Sequence, residues 1–260
     1  MHRRRLASGV CLVGLVIALA GCGGGGGGSS TPTVVATPYS SASAVAFSGA
    51  ATDSLDGSGT FVLAYTQSGS TLSGTWGAVY ANTTEFLNGG TFSGTLAGTT
   101  LTGTATSEVG ECNLSVSTTL SGSTSMSGSA TGIGSSCQFD SASFTLTTFA
   151  IPTLAATYAG TATDSLAGSG TMSVAFTQYN VYLAGTYTDV FPTTPAYGNT
   201  SEPLAGVVTG ASSAAFYLLQ PNGGKPGCSL VLTGPASATT VSGTYGSQTC
   251  SGNETGTYNL

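Results

Sequence analysis

Gly57-Ser58-Gly59-Thr60-Phe61-Val62-Leu63-Ala64-Tyr65-Thr66-Gln67 decides the fold of this chain, because it is written to a period of two and it occurs twice. The larger side chains at 61, 63 and 65 fall on one face of an extended segment, the pattern of a half-buried β-strand. The stretch returns as Gly168-Ser169-Gly170-Thr171-Met172-Ser173-Val174-Ala175-Phe176-Thr177-Gln178, with Met172, Val174 and Phe176 on the equivalent face. On either side the same offset of 111 residues holds. Thr52-Asp53-Ser54-Leu55 becomes Thr163-Asp164-Ser165-Leu166, and Leu72-Ser73-Gly74-Thr75-Trp76 becomes Leu183-Ala184-Gly185-Thr186-Tyr187. A constant offset over several blocks marks a duplicated domain rather than shared low complexity.

Working outward, Leu55-Asp56-Gly57-Ser58 and Gln67-Ser68-Gly69-Ser70 are Gly-containing hairpin turns between such strands. Runs of this kind predict eight short strands in the first copy, near 44–54, 60–67, 71–80, 90–97, 99–107, 112–120, 123–131 and 138–148. The second copy parses the same way. The expected fold is all-β: two tandem up-and-down antiparallel barrels of about eight strands each, since closure removes exposed sheet edges. β-Sandwiches are the alternative. The domains are then residues 44–149 and 157–260, joined by a linker at 150–156 that contains Pro152.

Each copy keeps two cysteines, Cys112 and Cys137, then Cys228 and Cys250. Four cysteines allow three pairings. Duplication favours Cys112–Cys137 and Cys228–Cys250, each closing a loop that stabilises by about 3 kcal/mol in the chain-entropy model.

The N-terminus has a different character. Arg3-Arg4-Arg5 precedes an apolar run from Leu6 to Ala20, the charged and hydrophobic parts of a secretory signal. The run is shorter than the roughly 20 apolar residues that span a bilayer. Leu19-Ala20-Gly21-Cys22 resembles the lipobox of bacterial lipoproteins. That resemblance implies a signal peptide at 1–21, lipidation of Cys22, and attachment to the membrane in the cell envelope. Gly23 stands where an inner-membrane retention Asp would be, which implies the outer membrane if the cell has one. Residues 22–43, opening with a glycine run and continuing in Ser, Thr and Pro, read as a tether.

Composition then excludes functions. With the signal removed, Lys225 is the only basic residue left against ten carboxylates, and neither histidine nor arginine remains. Such a chain repels phosphate backbones, so no nucleic acid is expected as partner. It lacks a Ser-His-Asp or Cys-His arrangement, imidazole for zinc, and a guanidinium clamp. No catalytic residue, metal or cofactor is assigned. A carboxylate pair survives the filter, with Asp53 and Asp56 or Glu108 and Glu111 as candidates for polysaccharide hydrolysis. Asp53 and Asp164 read more simply as turn acids accepting backbone hydrogen bonds. Calcium lacks enough ligands here, since copy two has Ala167 where Asp56 stands.

The large inward residues Phe61, Tyr65, Trp76, Tyr80 and Phe144 either line a ligand cavity or fill the barrel, because eight strands enclose just enough room for either. The Leu-Ser-Gly-Thr-Trp and Leu-Ala-Gly-Thr-Tyr blocks resemble hairpin strands of avidin-like and lipocalin-like barrels. The single Trp departs from the several that line a biotin pocket, so biotin is not implied. Segments 81–89 and 190–203 are the longest loops and the natural place for partner contacts. The expected function is a noncatalytic, membrane-anchored envelope lipoprotein binding a small ligand or an envelope protein. A protease inhibitor or adhesion module is the alternative, and a carboxylate-dependent polysaccharide hydrolase is a further one.

Overall fold

A computed structural model describes residues 44–80, 87–109, 112–134, 137, 140–192, 201–220, 228–246 and 254–260. The expected signal peptide at 1–21, the expected lipidation site Cys22 and the expected tether at 22–43 lie outside the described residues, as do 81–86 and 193–200 of the two long loops.

The first copy is a closed barrel of eight antiparallel strands in sequence order. They are β1 (Val45–Asp53), β2 (Gly57–Ser68), β3 (Thr71–Tyr80), β4 (Leu87–Ala97), β5 (Thr100–Ser107), β6 (Leu114–Ser121), β7 (Ser125–Gly132) and β8 (Ser141–Phe149). β8 returns to β1 and closes the cylinder through pairs such as Phe144 with Ala51. The second copy repeats the topology with β9 (Thr157–Asp164), β10 (Gly168–Tyr179), β11 (Tyr182–Val190) and β12 (Glu202–Gly210). It continues with β13 (Ser213–Gln220), β14 (Cys228–Pro235), β15 (Ser242–Gly246) and β16 (Thr255–Asn259), and β16 closes on β9. The up-and-down barrel pair expected from the alternation is therefore the fold, and the sandwich alternative is not.

One boundary moves. Leu87, Asn88 and Gly89, expected in a loop, belong to β4, because Leu87 pairs with Val79 and is buried. A buried apolar side chain extended the ladder past the point where the alternation stopped being legible.

The duplication reaches backbone detail. Gly69 sits in the β2–β3 turn at φ 62°, and its counterpart in the β10–β11 turn is Asn180 at φ 52°. Both are residues that tolerate the left-handed region that tight hairpins demand. Close strand approach fixes a second glycine pair. A Cβ on Gly59 would meet the Tyr80 ring, and one on Gly170 would meet Phe191, the residue at the same offset. An aromatic folded over a strand glycine covers the backbone that the missing side chain exposes.

The barrels lie against each other. Ala46, Val62, Ala64 and Leu87 point outward from the first barrel, yet they belong to the apolar cluster otherwise built from the second barrel and the linker. β12 packs against β2, β3 and β4. The linker is tied down by Gln178, whose amide donates to Pro152 O at 2.8 Å and whose Oε1 accepts from Leu154 N at 3.0 Å.

Candidate functional site

The inward residues of the first barrel sort into three levels. In the middle, Phe144, Phe61 and Trp76 form a stack, with ring centroids 4.6 Å apart for Phe61–Phe144 and 5.7 Å for Phe61–Trp76. Trp76 is fully buried, and its Nε1 donates to Thr106 O at 3.1 Å. These three side chains fill the cylinder at its middle.

Tyr80 and Tyr65 lie at opposite ends. Tyr80 sits among carboxylates; burial, then Asp53, Asp140 and Asp56, hold its hydroxyl well above the ordinary phenol range. Tyr65 stacks on Phe47 at 6.0 Å at the other end, where burial raises its hydroxyl. There a mouth of about 320 Å³ opens, lined by Val45, Phe47, Tyr65, Leu96 and Leu120, with Thr66 and Gln67 on the rim. Of the five aromatic candidates, Tyr65 lines this mouth, and Phe61, Trp76, Tyr80 and Phe144 do not. Phe47, Leu96 and Leu120 complete the mouth and were not legible as site residues. Each is an ordinary inward position, and only the strand register shows that they converge at one rim.

The barrel ends differ in charge. All eight described acids (Asp53, Asp56, Glu108 and Asp140, then Asp164, Asp189, Glu202 and Glu254) lie where odd-numbered strands end and even-numbered strands begin. The apolar mouth, the start of β1 and the linker lie at the opposite, uncharged ends. Asp53 Oδ1 accepts the amides of Leu55 and Asp56 at 2.7 and 2.9 Å; Asp164 Oδ1 accepts those of Leu166 and Ala167, both at 2.7 Å. Both are the turn acids expected from the sequence. In the second barrel Asp189, buried on the inner face of β11, has its carboxyl raised by burial and by nearby Asp164 and Glu202. Among the described residues no cluster of His, Cys, Asp or Glu is arranged to hold a metal ion.

Cys112, ahead of β6, and Cys137, between β7 and β8, form the disulfide expected for the first copy, with Cα atoms 5.8 Å apart. Cys228 opens β14, whereas Cys250 lies outside the described residues.

No protein-family model, curated protein or solved structure matches the chain.

Proposed function

We propose that this is a noncatalytic, lipid-anchored protein of the cell envelope whose first barrel takes a small apolar ligand in its mouth. The observation that carries the reading is the mouth itself, about 320 Å³ of mainly apolar lining at the uncharged end of the first barrel. Ligand pockets are mostly apolar with a few polar groups, start near this volume, and occur at barrel mouths. Tyr65, Thr66 and Gln67 supply the polar groups.

Cys22 is the anchor in this reading, and the tether from it runs to Val45, on the lip of the same mouth. The chemistry that composition leaves open, a pair of carboxylates, finds Asp53 already committed to its own turn.

Two measurements test this. A palmitate analogue supplied to cells making the chain labels wild type and leaves Cys22→Ala unlabelled; label on Cys22→Ala rejects the anchor. The fluorescent probe N-phenyl-1-naphthylamine binds the purified chain and is lost with Leu120→Lys, while Tyr80→Phe at the far end leaves binding unchanged. Equal binding to wild type and Leu120→Lys rejects the mouth.

A further inference from the structure

The two barrels meet through unlike faces. The first offers the outer wall of β1–β4, where Ala46, Val62, Ala64 and Gly77 are buried and Thr75 Oγ1 donates to Tyr179 O at 2.9 Å. The second offers the uncharged ends of β11 and β12, with Tyr182 lying on Gly89 and Val207 on Gly77. The fit at Gly77 excludes any side chain, since a Cβ there would come within 2.3 Å of Val207 Cγ2.

A contact between two like modules through two different faces leaves one of each face unused, and it propagates into an open chain unless something stops it. Both unused faces exist in this molecule. On the second barrel the wall positions at the 111-residue offset are Thr157 for Ala46, Ser173 for Val62 and Thr188 for Gly77. Thr157 and Ser173 are exposed, and all three border a depression of about 220 Å³. On the first barrel, the ladder places Thr71, Ser93 and Thr95 where the second has Tyr182, Ala205 and Val207. All three are exposed. Ala46, Val62, Gly77, Tyr182, Ala205 and Val207 on the two faces in use thus have hydroxyl residues as counterparts on the two faces that are not, whereas Ala64 and Thr75 keep their residue type as Ala175 and Thr186.

We propose that the barrel pair is a head-to-tail interface capped at two members, with Gly77 selecting the partner and Thr157, Ser173 and Thr188 closing the second barrel's wall to another copy of this chain. Thr188 fills the space that Val207 of an incoming copy needs, and the hydroxyls at 157 and 173 would lose water without gaining a partner. Polar terminal faces are how repeat arrays stay soluble.

The test uses the full chain carrying Cys22→Ser, so that no lipid is attached. Gly77→Thr should keep the β circular dichroism, enlarge the radius of gyration in X-ray scattering, and speed proteolysis at 150–156 by about tenfold as the pair opens. Adding Val207→Ala to Gly77→Thr should restore the compact pair. Unchanged dimensions and cleavage in Gly77→Thr, or no restoration by Val207→Ala, overturns the role of Gly77. Removing both caps (Thr157→Ala, Ser173→Val and Thr188→Gly, with Thr71→Tyr, Ser93→Ala and Thr95→Val) should turn a monomer into oligomers that grow with concentration in light scattering. An uncapped variant that stays monomeric, or a wild type that already forms open chains, overturns the cap.

Discussion

Tyr245 donates its hydroxyl proton to Asp164 Oδ2 across 2.8 Å, while Oδ1 of the same carboxylate accepts the Leu166 and Ala167 amides. One buried acid therefore ties β15 to the β9–β10 turn. Asp164→Ala should cost about 2 kcal/mol, since it leaves the Leu166 and Ala167 amides without their acceptor while the Tyr245 hydroxyl keeps Thr163 O at 3.1 Å, whereas Tyr245→Phe should cost about 1 kcal/mol. A double-mutant cycle by urea unfolding should give a coupling of about 1 kcal/mol between the two. Additive losses would show that the pair is not one unit.

Acid should favour the second barrel through Asp189. Its carboxyl is raised in the folded state, first by burial and then by Asp164 and Glu202. A raised folded value means that the folded chain holds this proton more tightly than the unfolded chain does. The resulting stability is full on the acid side and is lost as pH rises through the raised value. Asp189→Asn removes that dependence. The melting temperature of the variant minus that of wild type should be most positive at neutral pH and shrink as pH falls toward the ordinary carboxylate value of 3.8; a difference that stays constant down to that value contradicts the assignment.

Tyr258 points into the second barrel with its hydroxyl buried and without a hydrogen-bond partner among the described residues. An unsatisfied buried hydroxyl costs about 1 kcal/mol or more. Tyr258→Phe should leave the denaturant midpoint unchanged or raise it, whereas a drop would reveal a partner for the hydroxyl.

Trp76 is the single tryptophan of the chain and is wholly buried in the first barrel, so its fluorescence reports that barrel alone. Replacing Cys112 and Cys137 by Ser should lower the stability read by this signal by about 3 kcal/mol, from the loop-closure entropy returned to the unfolded chain. The folded emission should stay blue-shifted and shielded from acrylamide. Trp76→Ala, read by circular dichroism in urea because the fluorophore is gone, should cost about 4 kcal/mol, since it removes one end of the aromatic stack.

Much of this molecule is legible without coordinates. Period-two alternation in Phe61–Tyr65 and Leu72–Tyr80 gives strands and inward faces, the repeated blocks give two copies, and Asp53 beside its Gly57 turn gives a local hydrogen-bond acceptor. All of these depend on neighbours within a few residues. The mouth was not legible, because Phe47, Leu96 and Leu120 lie on three strands far apart in sequence and meet only through register.

The chain alone set its strands, its duplication and the absence of histidine and arginine beyond Arg5, since these follow from residue identity and short-range spacing, whereas of the three pairings that four cysteines allow it only favoured the Cys112–Cys137 bridge that the fold forms. Folding decided which outward residues are dry. Val62 and Ala64 read as the minor face of a strand, yet both are fully buried, whereas their counterparts Ser173 and Ala175 are exposed. The reason is that alternation within one strand separates two faces but does not say which neighbouring element will cover the outer one. The second barrel's placement covers that face on one copy and leaves it wet on the other.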